Sequence, residues 1–164
     1  MTPGEFFDVL SEVGVTHVGA VPDSAIRGLI REARERRPPI YTTMNREDNL
    51  VSWAAGVHLA GGKPFVLMQN SGLGHIGNAL VSLQMTYRLP LVMLVSWQGY
   101  EKREEVQHWI WGEIQNPMLD AMQVPYLVLE HGEARGQIVE AFALAERRRW
   151  PVALVLRRGG YVDE

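Results

Sequence analysis

The chain has 164 residues, of which 46% are hydrophobic and 21% charged, and its formal net charge is −3 at pH 7. This is the composition of one globular domain, and the small negative charge gives no electrostatic reason to expect nucleic acid or an anionic membrane as a partner. The sequence has no cysteine and its histidines are scattered, so disulfides are excluded and a built-in metal site is not expected. No signal-peptide pattern opens the chain and no apolar run approaches ~18 residues, so we expect a cytoplasmic protein.

The first part of the chain predicts helices alternating with strands. Thr2 suits an N-cap and Pro3 the first helical position, and apolar residues then recur at helical spacing. An extended segment at 16–21 is followed by a second helix. The prolines at 38–39 end that helix before a strand at 40–43.

The rest of the chain continues the alternation and predicts the fold class. In chain order the expected elements are a helix at 47–59, a strand at 64–68, a helix at 75–87, a strand at 90–95, a helix at 116–122, a strand at 126–129, a helix at 133–149 and a strand at 152–156. Residues 96–112 are expected to form the only long loop. Alternating elements with continuous apolar strands predict an α/β fold, a three-layer doubly wound parallel sheet of about six strands with helices on both faces. We expect 1–164 to form one domain.

Four polar segments are expected to share one edge of this sheet. Ligands of such sheets bind beyond the carboxyl ends of the strands. The segments that follow strand ends are 22–24, 45–48, 69–74 and 96–112. Together they predict a binding or catalytic site at this edge.

Residues 72–77, Gly-Leu-Gly-His-Ile-Gly, match the glycine pattern of dinucleotide-binding folds. In those folds the pattern belongs to the first strand–helix unit, and an acidic residue ends the next strand. Here it belongs to the third unit, and the next strand ends at Ser96-Trp97. The pattern therefore also fits a tight strand-to-helix turn, or a backbone that a ligand approaches closely.

Glu47 is an acidic residue in the first turn of a predicted helix. Such a carboxylate can simply complement the helix dipole. The apolar residues that follow, such as Leu50 and Trp53, also suit a carboxyl group that shares a proton within a site. Both interpretations remain open from the residues alone.

Short motifs in a fixed order run through nearly the whole chain. They are 21–24 (Val-Pro-Asp-Ser), 46–48 (Arg-Glu-Asp), 54–56 (Ala-Ala-Gly), 62–64 (Gly-Lys-Pro), 69–74 (Gln-Asn-Ser-Gly-Leu-Gly), 78–80 (Asn-Ala-Leu), 107–108 (Gln-His), 119–121 (Leu-Asp-Ala), 124–126 (Val-Pro-Tyr) and 151–154 (Pro-Val-Ala-Leu). This series resembles the pyrimidine-binding domain of thiamine-diphosphate-dependent decarboxylases. It is particularly similar to the alpha subunit of sulfopyruvate decarboxylase and the N-terminal half of phosphonopyruvate decarboxylase.

The resemblance implies a cofactor, a reaction and a set of site residues. The cofactor is thiamine diphosphate with Mg²⁺, and the reaction is the non-oxidative decarboxylation of a small 2-oxo acid, a lyase activity. Glu47 would hydrogen-bond the pyrimidine ring and, with His108, carry the proton chemistry. The residues implied to bind the cofactor are Glu47, Gln69, Asn70, Ser71, Gly72, Leu73 and Gly74. Those implied to face the substrate are Asp23, Ser24, His75, Gln107 and His108. Asp23 and Ser24 could instead only cap a helix, and His75 could be an ordinary polar residue at a helix start.

Two departures from the family pattern bear on the substrate. Gln98 stands where the sulfonate and phosphonate enzymes have an arginine, which removes a cation suited to a strongly anionic head. His75 stands where asparagine is more usual. Trp97, Trp109 and Trp111 also make the 96–112 segment unusually aromatic, which suits either a less charged substrate or a subunit contact.

The family motif that holds the diphosphate through magnesium, Gly-Asp-Gly, does not occur in the sequence. The resemblance therefore implies a partner, a beta subunit with the diphosphate-binding domain, in an α2β2 or larger assembly. Two other functions remain open: a non-catalytic regulatory subunit of such a complex, and a nucleotide-binding protein that uses residues 72–77.

Overall fold

A computed structural model describes residues 1–102 and 105–157. Residues 103–104 of the expected 96–112 loop and residues 158–164 of the expected domain lie outside this part. None of the helices in the described part is long and apolar enough to cross a membrane.

In the described residues, six helices alternate with six strands. In chain order they are α1 (Pro3–Glu12), β1 (His17–Ala20), α2 (Arg27–Glu35), β2 (Ile40–Thr43), α3 (Glu47–Leu59), β3 (Pro64–Gln69), α4 (Leu73–Ala79), β4 (Leu91–Trp97), α5 (Val106–Ala121), β5 (Tyr126–Val128), α6 (Ala134–Arg148) and β6 (Pro151–Arg157). A π-helical segment at Leu80–Met85 continues α4, and single 3₁₀ turns lie at Ser24–Ile26, Asn70–Gly72 and Tyr100–Lys102.

The strands form one all-parallel sheet in the order β2-β1-β3-β4-β6-β5. The central strands β3, β4 and β6 are buried on both sides along nearly their whole length, which explains their uninterrupted apolar sequences. Helices α1, α2 and α6 pack on one face, and α3, α4 and α5 pack on the other. The predicted three-layer α/β fold with six parallel strands is therefore confirmed.

Local signals explain where the helices begin. At the start of α1, Thr2 and Glu5 form a capping box in which each side chain accepts the other's backbone N–H, at 3.2 and 2.7 Å. Pro3 occupies the first helical position, as expected. Helix α3 and strand β2 have the expected bounds.

The expected long loop at 96–112 is wrong. Strand β4 runs to Trp97, and α5 begins at Val106 rather than near residue 116. The first part of α5 was not predicted because Gly112 and Pro117, which lie inside the helix, both have low helix propensity. Gly112 is required there because a Cβ on it would lie 2.2 Å from the carbonyl oxygen of Gly99.

The glycine pattern at 72–77 does not form an extended phosphate loop. Gly72 ends a 3₁₀ turn, and α4 begins at the next residue, Leu73. The expected helix at 75–87 thus begins two residues earlier, and its second half is π-helical. The observed backbone is a tight turn from β3 into a helix, which is compatible with close approach of a ligand to it.

Candidate active site

Glu47 is the first residue of α3, and its side chain turns into the protein. Only 8% of the residue is exposed. The neighbouring Asp48 turns outward and forms a two-point ion pair with Arg46, with N···O distances of 3.1 and 2.9 Å. Hydrogen bonding from the Arg46 guanidinium holds the pKa of Asp48 below its ordinary value. Asp48 is therefore the acidic residue that complements the helix dipole at the surface, whereas the Glu47 side chain is buried.

The space for the Glu47 side chain is created by Gly72. A Cβ on Gly72 would lie 2.5 Å from Cγ and 2.9 Å from Cδ of Glu47, which is closer than real Cβ atoms approach. The backbone of Gly72 is ordinary, with φ −62° and ψ −23°. Glycine is needed at this position because the carboxyl group lies against it.

One oxygen of the Glu47 carboxyl group contacts a histidine. Nδ1 of His75 lies 2.7 Å from Oε2 of Glu47, a hydrogen-bonding distance. The side chain of His75 is 56% exposed and that of Glu47 10% exposed, so the histidine lies between the buried carboxyl and solvent. Gly72 directly precedes α4, and His75 lies in the first turn of this helix. The turn after β3 therefore positions both residues.

A second polar network joins the ends of β1, β3 and β4. The Asp23 carboxylate accepts a hydrogen bond from Oγ of Ser96 at 2.7 Å. Nε2 of Gln98 donates to both Asp23 oxygens at 3.0 and 3.2 Å. Nδ2 of Asn70 donates to the Gln98 carbonyl at 2.8 Å. Three of the four expected segments therefore meet at one edge, as the parallel sheet requires.

This network gives the Asp23 side chain contacts other than helix capping. Its side chain makes no capping hydrogen bond to the turn at Ser24–Ile26, so helix capping does not explain it. The donors that hold its carboxylate, Ser96 and Gln98, are both neutral. Gln98 is 2% exposed and directs its amide at Asp23. The residue that replaces the expected arginine thus belongs to the Asp23 network.

Asn70 has an acceptor atom that the described residues leave unused. The residue is fully buried, and while Nδ2 donates to Gln98, Oδ1 has no hydrogen-bond partner in the described part of the chain. Unsatisfied buried oxygens are uncommon in folded proteins. Oδ1 is therefore an acceptor for a donor that the described residues do not supply.

The remaining expected site residues differ in how far they are exposed. Leu73 is fully buried in the core beside α3, so its side chain has a packing position. Gln69 ends β3 and is partly buried, as is Ser71. Gly74 is exposed and faces the Trp111 ring, since a Cβ on Gly74 would lie 2.8 Å from Cη2 of that ring. Ser24 is exposed beside Asp23.

Gln107 and His108 lie in the first turn of α5, not on a long loop. Gln107 is exposed and His108 partly buried. The turn after β4 fixes the position of both residues. Gly99 in this turn has φ +79°, a conformation suited to glycine. A Cβ on Gly99 would also lie 2.0 Å from the His108 carbonyl oxygen, so a side chain there would prevent this contact. Nε1 of Trp97 also donates to the Gly112 carbonyl at 2.8 Å. These contacts bring the start of α5 to the carboxyl edge.

The described residues fit the pyrimidine end of thiamine diphosphate. A flat ring with hydrogen-bonding nitrogens can be bound through a carboxyl group that is held away from bulk water. Glu47 against Gly72 supplies such a group. Ser96 and Trp111 each contact an expected site residue, and sequence reasoning did not single them out for these contacts. The signals for them in the sequence were the position of Ser96 at the end of β4 and the aromatic character of the segment that contains Trp111.

Comparison with known proteins gives a consistent result. Residues 5–124 match the family described as thiamine pyrophosphate enzyme, N-terminal TPP binding domain. The chain is 40% identical over 95 residues to sulfopyruvate decarboxylase of Methanosarcina acetivorans, covering 58% of this chain and 24% of that protein. It is 31% identical over 160 residues to phosphonopyruvate decarboxylase of Streptomyces viridochromogenes, covering 94% and 40%. The chain thus spans less than half the length of these relatives.

A relative of matching length carries a subunit name. The chain is 27% identical over 151 residues to sulfopyruvate decarboxylase subunit alpha of Methanococcus maripaludis, and the match covers 92% of this chain and 90% of that one. Among solved structures, benzoylformate decarboxylase from Polynucleobacter necessarius superposes with a TM-score of 0.76 at 20% identity. That match covers 99% of this chain and 31% of the other, and it shows the fold.

Proposed function

Since the chain belongs to the thiamine pyrophosphate enzymes, as a member of the family of their N-terminal TPP binding domain, we propose that it is the alpha, pyrimidine-binding subunit of a heteromeric 2-oxo acid decarboxylase. The proposed enzyme is a carboxy-lyase similar to sulfopyruvate and phosphonopyruvate decarboxylases. The observation that carries this proposal is the Glu47 carboxyl group, buried against Gly72 at the carboxyl edge of the sheet.

Glu47 takes part in the proton sharing that activation of the cofactor requires. When bound, thiamine diphosphate would supply a nucleophilic carbon to the keto group and would take up the electron pair that departing carbon dioxide leaves behind. Glu47 binds the pyrimidine ring through its carboxyl group and shares a proton with the ring nitrogen. Burial favours this role because few water molecules compete for the hydrogen bond.

The backbone around Glu47 binds and positions the rest of the ring. The turn at Asn70–Gly72 and Gly74 contribute a surface with few side chains, and Gln69 and Ser71 flank it. The unused Oδ1 of Asn70 supports a bound group at this turn. Leu73 supports the turn from the core side.

The substrate end of the site is formed by Asp23, Ser24, Gln107 and His108. The Asp23 carboxylate is held in place by Ser96 and Gln98. His108 is the proposed proton donor or carboxylate contact, at the start of α5. Because the hydrogen-bond donors to Asp23 are neutral, the negative charge of Asp23 is not compensated. This charge disfavours a substrate with a dianionic head group more than it would if an arginine were paired with Asp23.

The proposal assigns the diphosphate and its Mg²⁺ to a beta subunit. The family motif for that task, Gly-Asp-Gly, does not occur in this sequence. A relative that matches this chain along 90% of its own length is named a subunit alpha, which supports a split enzyme. We propose an α2β2 or larger assembly of cytoplasmic location.

Two rival functions have less support. A non-catalytic regulatory subunit would have no physical need for a buried carboxyl group in a space that only glycine permits. A nucleotide-binding protein would use residues 72–77 as a phosphate loop, but these residues form a turn and a helix.

Isothermal calorimetry tests the split site. The chain is titrated with thiamine diphosphate and Mg²⁺, alone and after mixing with the beta subunit encoded in the same genome, and nicotinamide and adenine nucleotides serve as controls. We expect weak cofactor binding by the chain alone and tight magnesium-dependent binding by the complex. Tight binding by the chain alone would contradict the division of the site between subunits, and preference for a nucleotide would contradict the proposed function.

A further inference from the structure

We propose that His75 is a positioning residue for Glu47. Its Nδ1–H donates to Oε2 of Glu47 and so leaves Oε1 as the atom presented to the pyrimidine nitrogen. This inference rests on the proposed function, and it replaces the substrate contact that the sequence resemblance implied for His75.

The two oxygens of the Glu47 carboxyl group have different surroundings. Oε2 lies 2.7 Å from Nδ1 of His75. Oε1 lies on the Gly72 side, 3.0 Å from the place where a Cβ would stand. In the described part of the chain Oε1 has no hydrogen bond. The carboxyl group is thus fixed through one oxygen, and the other is available to a ligand.

The nearest alternative cation does not contact Glu47. Arg46, the preceding residue, directs its guanidinium to Asp48 in a two-point ion pair on the outer side of the helix. Among residues 1–102 and 105–157, His75 is the one basic side chain in contact with the Glu47 carboxyl. The orientation of Glu47 therefore depends on His75 and on the packing against Gly72.

The contact also defines the histidine. If the Glu47 oxygen is the acceptor, the bonded ring nitrogen carries the proton. The proposal therefore requires a proton on Nδ1 of His75, whereas a free imidazole favours Nε2–H. Holding the carboxyl group in advance reduces the conformational entropy that cofactor binding would otherwise have to remove from the Glu47 side chain.

Three substitutions of His75 separate the hydrogen bond from ring size. An asparagine amide nitrogen reaches the place of Nδ1, a glutamine amide nitrogen falls near Nε2, and phenylalanine keeps the ring without a donor. We expect His75→Phe and His75→Gln to slow exchange of the thiazolium proton about tenfold in the reconstituted complex, the effect of losing one hydrogen bond to a charged group. His75→Asn should restore most of the rate, and kcat should fall more than KM rises.

A measurement without cofactor gives an independent readout. In the ¹⁵N-histidine-labelled chain, NMR reports which ring nitrogen of His75 carries the proton. We expect the Nδ1–H form in the wild-type chain and a shift to Nε2–H in Glu47→Ala. An Nε2–H form in the wild-type chain would overturn the inference.

The exchange experiment distinguishes this inference from the proposed function. Normal exchange in His75→Phe and His75→Gln, together with lost exchange in Glu47→Gln, would overturn the role of His75 alone. Normal exchange in Glu47→Gln would overturn the proposed function itself. A rate restored by Asn and not by Gln supports the positioning role, because a loss caused by packing would not depend on which amide nitrogen is present.

Discussion

The two edges of the same parallel sheet use polar residues in different ways. At the amino edge, the backbone N–H of Lys63 donates to Oγ1 of Thr16 at 2.8 Å, and its Nζ donates to the Val13 carbonyl at 2.8 Å and pairs with Glu146. These contacts tie together turns of the backbone. At the carboxyl edge, by contrast, the Glu47 carboxyl group is buried and contacts His75, and the partly buried Asp23 is held by Ser96 and Gln98.

Cavities lie at both edges, so the presence of a cavity alone does not identify the site. One of about 570 Å³ is bordered by Asp23 and Ser24, and one of about 270 Å³ lies at the amino edge, bordered by Thr16, Lys63 and Phe142. Thr16 and Lys63 contact each other and the backbone. The carboxyl edge also has Gly72, whose missing side chain leaves room for Glu47, and the buried and unused Oδ1 of Asn70. Groups that are oriented in advance distinguish this edge.

After removal of the Glu47 carboxyl group itself, replacement of Gly72 is expected to give the largest effect on function. In Gly72→Ala the new Cβ would overlap the Glu47 side chain, so the carboxyl group must move. Overpacking of this kind costs about 1–3 kcal/mol, and we expect cofactor affinity and kcat/KM of the complex to fall about 10–100-fold. Calorimetry and steady-state kinetics measure both.

Gly77→Ala is the matched control for that experiment. Gly77 lies in the same helix, α4, and a Cβ there would meet no atom within 4 Å. We expect unchanged activity and about 0.5–1 kcal/mol of added stability against urea, because alanine favours a helix. Equal losses in both variants would show that the glycine segment is sensitive for reasons other than the space for Glu47.

Replacement of Gln98 tests the charge at the substrate end. Gln98→Arg would place a cation against Asp23 and neutralise its charge, so we expect the ratio of sulfopyruvate to pyruvate turnover to rise severalfold, up to about tenfold. Gln98→Met, which removes the amide without adding charge, is the control. An unchanged ratio in the arginine variant, or an equal change in both, would contradict the charge argument.

Lys63→Met is expected to give the smallest effect on function. It removes the hydrogen bond to the Val13 carbonyl and the ion pair with Glu146, which is exposed. We expect the free energy of unfolding to fall by about 1 kcal/mol, since exposed pairs contribute little, and kcat/KM of the complex to stay within about twofold. A large loss of turnover in a stable variant would mean that the amino edge also takes part in function.

Much of the fold follows from the sequence because the strands are apolar and the helices alternate with them. The bounds of α3 and β2 agree with the expectation from periodicity. The start of α5 could not be predicted, because Gly112 reads as a helix breaker until its contact with the Gly99 carbonyl is known. The glycine that close packing requires at position 112 lowers the helix propensity of this part of the sequence.

The site was predictable only in part. Alternation of strands and helices places the polar segments at one edge, and the family resemblance selects Glu47 within it. The partners of these residues are far apart in sequence: His75 is 28 positions from Glu47, and Gln98 is 75 positions from Asp23. Pairings of this kind depend on strand order and side-chain direction, which periodicity does not encode.

The proton-sharing role of Glu47 can be tested directly with Glu47→Gln. Glutamine can keep a hydrogen bond but cannot share a carboxyl proton with the pyrimidine nitrogen. Exchange of the thiazolium proton is followed by NMR, and release of carbon dioxide is measured on the same reconstituted complex. We predict that both rates fall at least about 100-fold while the fold stays intact. If Glu47 served only its helix dipole, the variant would lose well under ~1 kcal/mol of stability and keep its activity. Unchanged proton exchange in the folded variant complex would contradict the proton-sharing role.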